Sequence, residues 1–386
     1  MVCPKEKCTG CFACFNICPK NAIIMKEDIF GNIYPSIDDK KCINCGLCKK
    51  VCPALNQEKI YFKYPKKVYA MYSKDEKIRT NSTSGGIATS ISKYFIEKSG
   101  IVYGAGNLFN NNSFNFYRID KVSDLVKIQG SKYVHCYINN AFTKVKDDLN
   151  NGKKVLFIGT PCQIAGLKRF LLKEYDNLIT IDIICHGVPT QKLLFEDLKD
   201  SFKLNKSDFE YITFRDSNGF HIRIYKSLED YNNKHFIFSK YANLDQYYKN
   251  FLRGNIYRDN CYSCSYARKE RISDITIGDF WGLDSKSKIY DDEYKGISSV
   301  IISTEKGESI VKEVLSLFHY EERSYEEAYL NNEQLNNPMK RKKEYYIYRN
   351  NYIKKGAKKT FKKMNYPLDL IKYNPFLYNL LKKGKK

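Results

Sequence analysis

The sequence has no apolar run long enough to cross a bilayer. The longest, from Leu178 to Cys185, is short and interrupted, whereas a spanning helix needs about 20 apolar residues. No apolar stretch of the signal-peptide type precedes the first motif. We therefore expect no transmembrane span and a cytoplasmic location.

Two kinds of functional pattern are also missing. No Ser/His/Asp arrangement and no pair of carboxylates stands out, so hydrolysis is not favoured. Neither the dinucleotide fingerprint G-x-G-x-x-G nor a P-loop is present. A nucleotide-like cofactor would have to bind through other loops.

Acidic residues are scarce. The chain has 65 Lys and Arg against 43 Asp and Glu, a net charge of +22. From Asn331 to Lys386, sixteen basic residues stand against three acidic ones. Because Lys, Asn, Ile and Tyr are abundant throughout, bulk basicity is a weak sign of nucleic-acid binding. We predict a basic helical C-terminal extension over residues 316–386.

This extension has three possible partners. Aromatic residues stand between basic ones from Lys340 to Lys359, a pattern that can stack on bases. Such runs are more often solvated faces, so nucleic acid is not favoured. An acidic redox protein could dock there instead, or an anionic membrane surface through peripheral contact.

Cysteine is the most informative residue type. Fourteen cysteines in a chain expected to be cytosolic indicate metal binding rather than disulfides. Eight of them form two runs of identical spacing, C-x2-C-x2-C-x3-C-P, that start 34 residues apart. This is the pattern of bacterial two-cluster ferredoxins, in which the fourth cysteine of each run ligates the other cluster.

We therefore predict an α+β, ferredoxin-like two-cluster domain over residues 1–58. The expected ligands are Cys8, Cys11, Cys14 and Cys52 for the first 4Fe-4S cluster, and Cys42, Cys45, Cys48 and Cys18 for the second. Residues 23–37 between the runs predict a hairpin with Gly31 and Asn32 at its turn. Zinc is the alternative, although zinc sites usually have four ligands with a longer gap between pairs. Cys3 lies outside the pattern.

Residues 59–315 follow an α/β pattern. The segment 83–100 reads as a Gly-rich loop that feeds a helix with Ile87, Ile91 and Phe95 on one face. Further along, an apolar strand, a helix and a second apolar strand form a parallel βαβ unit between residues 153 and 185. The sequence predicts an α/β domain with a largely parallel central sheet.

Cys162 stands at the start of the helix in this unit. Thr160 is predicted as its N-cap, Pro161 as its first residue, and Gln163 as the partner in a capping box. The start of a helix stabilises a thiolate, which suits a nucleophile or a metal ligand. A small buried residue is the third interpretation of Cys162. Cys162 and Cys185 both follow strand ends, where open parallel sheets bind ligands. The two cysteines should approach each other if the strands are neighbours.

The remaining cysteines predict a third cluster. Five lie beyond residue 58, and two of these form the knuckle Cys261-x2-Cys264. Together with Cys162 and Cys185 they make four soft ligands. A lone cysteine is usually a small buried hydrophobe, and a lone knuckle is more often zinc or a redox pair. Cys136 is left unassigned.

Three polar loops are candidates for a nucleotide-like cofactor. Residues 82–86 open a helix whose N–H groups can hold a phosphate. Residues 129–133 add a lysine charge and a flat ring, and Asp279 brings a carboxylate to a strand end. Each loop alone is also explained by ordinary turn chemistry.

Six motifs together resemble the coenzyme F420 hydrogenase/dehydrogenase beta-subunit family, from about Val68 to about Ser303. In chain order they are TSGGIATS, QGSKYV, LFIGTPCQIAGLKRFL, IDIICHGVP, FRD and DITIGDFWG. The ferredoxin part ahead of them resembles the architecture of many members. The resemblance implies an iron–sulfur flavoprotein that binds a flavin, usually FAD, beside a 4Fe-4S cluster.

The resemblance also implies site residues. The expected ligands of the third cluster are Cys162, Cys185, Cys261 and Cys264. The residues expected around the flavin, with Asp279 added as the nearby carboxylate, are Thr83, Ser84, Gly85, Gly86, Gln129, Gly130, Ser131, Lys132, Tyr133, Gly159, Thr160, Gln163 and Asp279. His135 and Cys136 stand where polar residues are expected, and the segment after Leu330 has no recognised counterpart.

Two residues are candidates for catalysis. Lys132 could stabilise an anionic reduced flavin, although a solvated lysine is the common case. His186 could hydrogen-bond the flavin or a cluster sulfur, or be an ordinary turn histidine.

The expected function is electron transfer between 4Fe-4S clusters and a flavin, which reduces or oxidises a deazaflavin-like or other small-molecule substrate. The alternative is a non-catalytic electron-transfer subunit that delivers electrons from ferredoxin to a partner enzyme. The expected partners are ferredoxin or another redox protein, and a small-molecule redox substrate.

Overall fold

The computed structural model describes residues 1–106, 113–216, 219–290 and 296–364, so residues 365–386 of the predicted extension lie outside it. The strands are β1 Ile23–Glu27, β2 Ile33–Ile37, β3 Lys67–Ser73, β4 Ile101–Ala105, β5 Phe116–Ile119, β6 Val155–Gly159, β7 Leu178–Ile183, β8 Tyr211–Asp216, β9 Gly219–Tyr225, β10 Phe238–Tyr241, β11 Ile275–Asp279, β12 Ser298–Ile302 and β13 Phe318–Arg323. The helices are α1 Ala13–Ile17, α2 Leu47–Lys50, α3 Glu76–Thr80, α4 Ile87–Glu97, α5 Ala141–Asn150, α6 Pro161–Leu171, α7 Gln191–Phe202, α8 Leu228–Asn232, α9 Gln246–Leu252, α10 Glu305–Val314, α11 Tyr325–Leu330 and α12 Lys343–Met364.

The ferredoxin part has the predicted local structure. β1 and β2 pair antiparallel as a hairpin. Gly31 at its turn has a φ of 81°, a left-handed conformation that glycine adopts at no steric cost. The short helices α1 and α2 each carry the third cysteine of one run, Cys14 and Cys48. The α+β, ferredoxin-like expectation is confirmed.

The central sheet of the α/β part is mixed. Its eight strands lie in the order β13-β3-β12-β11-β7-β6-β4-β5. The pairs β4/β6, β6/β7 and β7/β11 are parallel, whereas both flanks pair antiparallel. The prediction of a largely parallel central sheet is therefore confirmed in part: β4, β6, β7 and β11 run parallel, and the sheet as a whole is mixed. The antiparallel flanks were not predicted, because an apolar run such as β12 carries no mark of its direction.

Both faces of this sheet are covered. Val155 and Phe157 of β6 pack with α5 and α6 on one face, and Leu156 packs with α4 on the other. Such burial on two sides is typical of parallel strands joined by helices. The predicted apolar face of α4 is confirmed, since Ile87, Ile91 and Phe95 are all buried.

A second sheet was not predicted. β8, β9 and β10 form a three-stranded antiparallel sheet, and its apolar side shares a core with α7 and α9. Its strands are short and follow polar segments, so their periodicity gave no clear signal. This sheet is functionally relevant because β8 carries Arg215 of the FRD motif to the central sheet.

The predicted extension over residues 316–386 is not a separate helical unit. β13 is an edge strand of the central sheet, paired with β3. α12 packs on the body of the protein, and its Tyr345, Tyr348 and Tyr352 are buried. Phe30 of the ferredoxin hairpin stacks on Tyr352 with ring centroids 5.7 Å apart. Three of the four aromatic residues that suggested base stacking are therefore core residues, whereas Tyr346 is exposed.

None of the helices in the described residues combines the length and the apolar character that crossing a membrane requires.

Candidate functional site

The eight ferredoxin cysteines surround two separate cavities. The first, of about 350 Å³, is lined by Cys3, Cys8, Cys11, Cys14 and Cys52. The second, of about 380 Å³, is lined by Cys18, Cys42, Cys45 and Cys48. The fourth cysteine of each run crosses to the other cavity, which is the arrangement that the spacing predicts. Cys3, left outside the pattern, joins the first set.

The two cavities differ in their surroundings. The first is deep, and it lies against α6, where Gly166 lets the ferredoxin loop approach. A Cβ added to Gly166 would come 2.8 Å from the Cβ of Cys11. The second lies near the surface, with Cys45 exposed. An electron carrier therefore has easier access to the second cavity than to the first.

The donor sets fit clusters better than single ions. Within the described residues, no three His, Cys, Asp or Glu side chains converge closely enough to hold one metal ion. A zinc ion needs its thiolates about 2.3 Å from one point. Four thiols around a larger cavity instead match the size of an iron–sulfur cube.

The third set of cysteines also surrounds one cavity. Cys162, Cys185, Cys261 and Cys264 line a space of about 610 Å³. Because β6 and β7 pair in parallel, with Gly159 opposite Asp182, the residues that follow both strands meet at the same sheet edge. The knuckle reaches that edge from a 3-10 turn, Asp259–Ser263.

The environment of Cys162 argues against a nucleophile. Burial raises the pKa of Cys162 to about 12, and the hydrogen bond with Thr160 only partly opposes this. The hydroxyl of Thr160, 3.2 Å from its Sγ, is not a base. A metal deprotonates a coordinating thiol outright, so burial does not prevent Cys162 from acting as a ligand.

A much larger cavity lies at the carboxyl ends of the parallel strands. Its volume is about 1590 Å³, and residues of β4, β6, β7 and β11 contribute to its wall. Of the residues predicted to bind the cofactor, those that line it are Thr83, Ser84, Gly86, Gln129, Gly130, Ser131, Lys132, Tyr133, Gly159, Thr160, Gln163 and Asp279. Gly85 packs behind the loop instead, where a Cβ would come 2.4 Å from the carbonyl oxygen of Met71.

Two of the polar loops are tied together at the cavity wall. The N–H of Ser131 donates to Oγ1 of Thr83 at 2.7 Å. The N–H of Gly85 donates to Oγ of Ser298 at 2.9 Å, which anchors the same loop to β12. These bonds hold the loops in one fixed arrangement before any ligand binds.

The ammonium of Lys132 is already engaged. Its Nζ donates to the main-chain carbonyls of Ile128, Gln129 and Gly130, and an ammonium has three donors. Burial away from water lowers the pKa of Lys132 to about 7. The carbonyl oxygens that accept its hydrogen bonds favour the charged form instead. Since the side chain also faces the cavity, we take the charged form as the one present at neutral pH. Lys132 closes its loop and contributes charge rather than a free N–H.

Gln163 shapes the wall between the helix start and the cavity. Its Oε1 accepts from the N–H of Thr160 at 3.0 Å, as the predicted capping box requires of Gln163. Its Nε2 donates to the carbonyl of Cys136 at 3.1 Å. The amide is therefore fixed at both ends.

The third cysteine cavity and the large cavity share a wall. The residues that line both are His135, Thr160, Cys185, His186, Gly187 and Val188. Burial lowers the pKa of His186, and the negative charge of Asp279 acts in the opposite direction. Burial lowers the pKa of His135 well below its usual value, and the positive charge of Arg258 lowers it further. Both imidazoles are therefore neutral at pH 7, with one N–H donor and one acceptor each.

An ion pair closes another side of the large cavity. Nη1 of Arg215 lies 2.6 Å from Oδ2 of Asp279, so the FRD and GDFWG motifs meet in space. The guanidinium also lies 5.9 Å from the ring of Trp281, a half-exposed residue that lines the cavity. The exposed ring of Trp281 offers a stacking surface for a planar molecule.

Sequence reasoning missed three residues of this region. Arg258 and Thr9 belong to none of the recognised motifs, yet Thr9 lines both the first and the third cavity. His135 was noted only as a departure from the family pattern. A signal for Arg258 existed in its position three residues before Cys261, but a single arginine beside a knuckle is too common to interpret alone.

Comparison with known proteins identifies the two parts of the chain. The model "Coenzyme F420 hydrogenase/dehydrogenase, beta subunit N-term" matches residues 68–142, and the corresponding C-terminus model matches residues 152–328. Two 4Fe-4S dicluster models match residues 7–56 and 34–84.

Individual relatives agree with this division. The coenzyme F420-dependent sulfite reductase of Methanocaldococcus jannaschii is 24% identical over 310 residues, which are 78% of this chain and 45% of that protein. The pyruvate synthase subunit PorD of Thermotoga maritima is 43% identical over 49 residues, 13% of this chain and 46% of that protein. The matched segments thus cover less than half the length of each of these two relatives.

Among solved structures, the F420-reducing hydrogenase complex of Methanosarcina barkeri contains a chain with 17% identity and a TM-score of 0.47. The match covers 68% of this chain and 83% of that one.

Proposed function

Because this chain belongs to the coenzyme F420 hydrogenase/dehydrogenase beta-subunit family and carries a 4Fe-4S dicluster domain ahead of that core, we propose that it is an iron–sulfur flavoprotein oxidoreductase. Three 4Fe-4S clusters bind in the three cysteine cavities, and a flavin, taken as FAD, binds in the large cavity. When bound, these groups supply the exchange between a two-electron hydride step and single-electron steps.

The observation that carries this proposal is the order of the cavities. The second cysteine cavity is near the surface, and the first packs against α6. Thr9 lines both the first and the third cavity, and the third shares a wall with the large cavity. Four sites in such a series suit electron transfer between a partner at the surface and a cofactor in the sheet.

The large cavity fits a nucleotide-like cofactor. At about 1590 Å³, it is larger than each of the three cysteine cavities. Its wall is formed in part by the start of α4 and by the backbone of the two loops that hydrogen bonds join, and Lys132 adds a positive charge. Gly104, Gly159 and Gly278 line the side formed by the strands, where the lack of a Cβ lets the side chains of Ile128, Gln163 and Ile184 pack closely on the strands.

Named residues have separate roles in this proposal. The fixed amide of Gln163 holds the wall beside Cys162, and His186 stands between the third cluster site and the flavin site. There it can donate an N–H to either group. Trp281 binds and orients the substrate, which we take to be a deazaflavin-like or other planar molecule, and Arg215 holds Asp279 in place through their ion pair.

The test is anaerobic purification followed by iron and flavin analysis. Three cubane clusters and one flavin predict about twelve iron atoms and one flavin per chain. A colourless protein that contains zinc would refute the proposal.

A non-catalytic electron-transfer subunit remains the second candidate. The shared 49-residue ferredoxin segment of PorD, a subunit of a larger enzyme, favours it. Reduction of an added dye by the purified chain with reduced deazaflavin or NADH separates the two. Turnover by this chain alone supports the oxidoreductase, and clusters with no turnover support the subunit.

A further inference from the structure

A buried arginine lies between the first and the third cysteine cavities. Arg258 is 1% exposed. Its Nη2 donates to the main-chain carbonyls of Cys8, at 3.1 Å, and Ile33, at 3.2 Å, both in the ferredoxin domain. Its Nε donates at 3.3 Å to Oδ1 of Asn260, which lines the third cavity. One side chain therefore joins the two sites.

The ferredoxin loop is shaped for this approach. Gly10 has a φ of 65°, and a Cβ there would come 3.3 Å from Nη2 of Arg258 and 2.8 Å from Cε1 of His135. Thr9, the preceding residue, lines both cavities. The guanidinium and this loop together form the boundary between the two sites.

The charge of Arg258 has no carboxylate partner in the described part of the chain, although its guanidinium lies 5.1 Å from the ring of Tyr34. No carboxylate there lies within 4.0 Å of its guanidinium, and its Nη1 makes no hydrogen bond. A buried cation without a counter-charge is costly. By contrast Arg271, the buried arginine on the other side of the third cavity, pairs with Asp182 at 3.1 Å.

Iron–sulfur clusters would supply the missing counter-charge. A cluster held by four thiolates carries net negative charge, and its reduction potential depends on nearby charges and hydrogen bonds. The guanidinium lies close enough to act electrostatically on Cys8 of the first set and on Cys162 and Cys261 of the third. Its side-chain hydrogen-bond partners include Cys8 of the first cavity and Asn260 of the third, and none of the residues that line the second.

We propose that Arg258 is a positioning residue that serves as the shared counter-ion of the first and third clusters and raises the reduction potential of both. The inference rests on the proposed function, since it requires clusters in both cavities. A positive charge stabilises the reduced form of a cluster, which is the more negative one. Its hydrogen bonds to Cys8 and Ile33 also hold the ferredoxin loop against the third site.

The test is a redox titration of the anaerobically purified full chain, followed by electron paramagnetic resonance, with iron measured in the same samples. In Arg258→Met, we expect the potentials of the first and third clusters to fall and that of the second cluster to stay unchanged. In Arg258→Lys, which keeps the charge but not the planar fork, we expect all three to stay close to the parent. Arg79→Met, a change at another buried arginine that lines none of the cysteine cavities, controls for loss of a buried cation.

Each outcome decides the inference. If Arg258→Met loses iron, loss from the first and third sites with the second retained supports the counter-ion role. Loss from all three sites, three unchanged potentials, or an equal shift of all three would overturn it. A parent protein without three clusters would instead refute the proposed function, so the two failures can be told apart.

Discussion

The substitution Cys162→Ala tests the third cluster site without disturbing the other two. Cys162 lines the cavity it shares with Cys185, Cys261 and Cys264, and it is absent from the walls of both ferredoxin cavities. If each four-cysteine cavity holds one cubane cluster, the parent contains about twelve iron atoms. Loss of one cluster should leave about eight, with cluster absorbance reduced by about a third.

A matched control is available in Cys136→Ala. Cys136 is also buried, and burial raises its pKa to about 12 as it does for Cys162. It lines the large cavity but none of the three cysteine cavities, so its loss should leave the iron content unchanged. Iron and acid-labile sulfide, measured on anaerobically purified protein, provide the assay.

Two results would refute this reasoning. Unchanged iron in Cys162→Ala would mean that Cys162 is a packing residue and that the third cavity holds no cluster. Equal loss of iron in Cys136→Ala would mean that any small cavity near β6 destabilises cluster binding. Circular dichroism of both variants shows whether the fold is retained.

Three further predictions follow from other parts of the structure. Gly130→Val should lower flavin content with iron unchanged, because valine is strained at a φ of 78° in a cavity loop. Gly152→Val, at a φ of 73° in open space, should leave flavin content unchanged, and equal losses would contradict the role of the loop. Tyr348→Ala should destabilise the fold by about 3–5 kcal/mol in urea denaturation, because Tyr348 is 2% exposed. Tyr346→Ala, at a residue 55% exposed, should have little effect, and similar losses would show that α12 is not part of the core. Burial, and to a smaller extent the charge of Asp245, raises the pKa of Asp197 from 3.8 to about 8. At a pH between these two values, the folded state therefore holds a proton on Asp197 that the unfolded state has released. Stability should therefore fall as pH rises through this window, and Asp197→Asn should reduce the difference between pH 5 and pH 8 in urea denaturation. An equal pH dependence in variant and parent would show that Asp197 does not titrate in this way.

Much of the site could be predicted from the sequence because its elements are local. The cysteine spacing indicated which residues surround each ferredoxin cavity, and the pattern around Thr160 indicated the start of α6. The meeting of Cys162 with Cys185 followed from one assumption, that their strands are neighbours, which the parallel pairing of β6 and β7 confirms.

The rest depends on contacts between distant segments. Arg258 binds carbonyls 250 and 225 residues away along the chain, and no local pattern marks such a contact. β13 joins the sheet beside β3, although its charged sequence FHYEER resembles an exposed segment. The tyrosines of α12 looked like a surface stripe, because a basic composition hides the apolar face that packs on Phe30.

The central claim is that a third cluster lies against a flavin cavity. Crystals grown anaerobically and measured at the iron absorption edge test this claim most directly. We expect three separate iron peaks, the third among Cys162, Cys185, Cys261 and Cys264, and flavin density in the adjoining cavity lined by Lys132. Two iron peaks only, or zinc among these four cysteines, would contradict it.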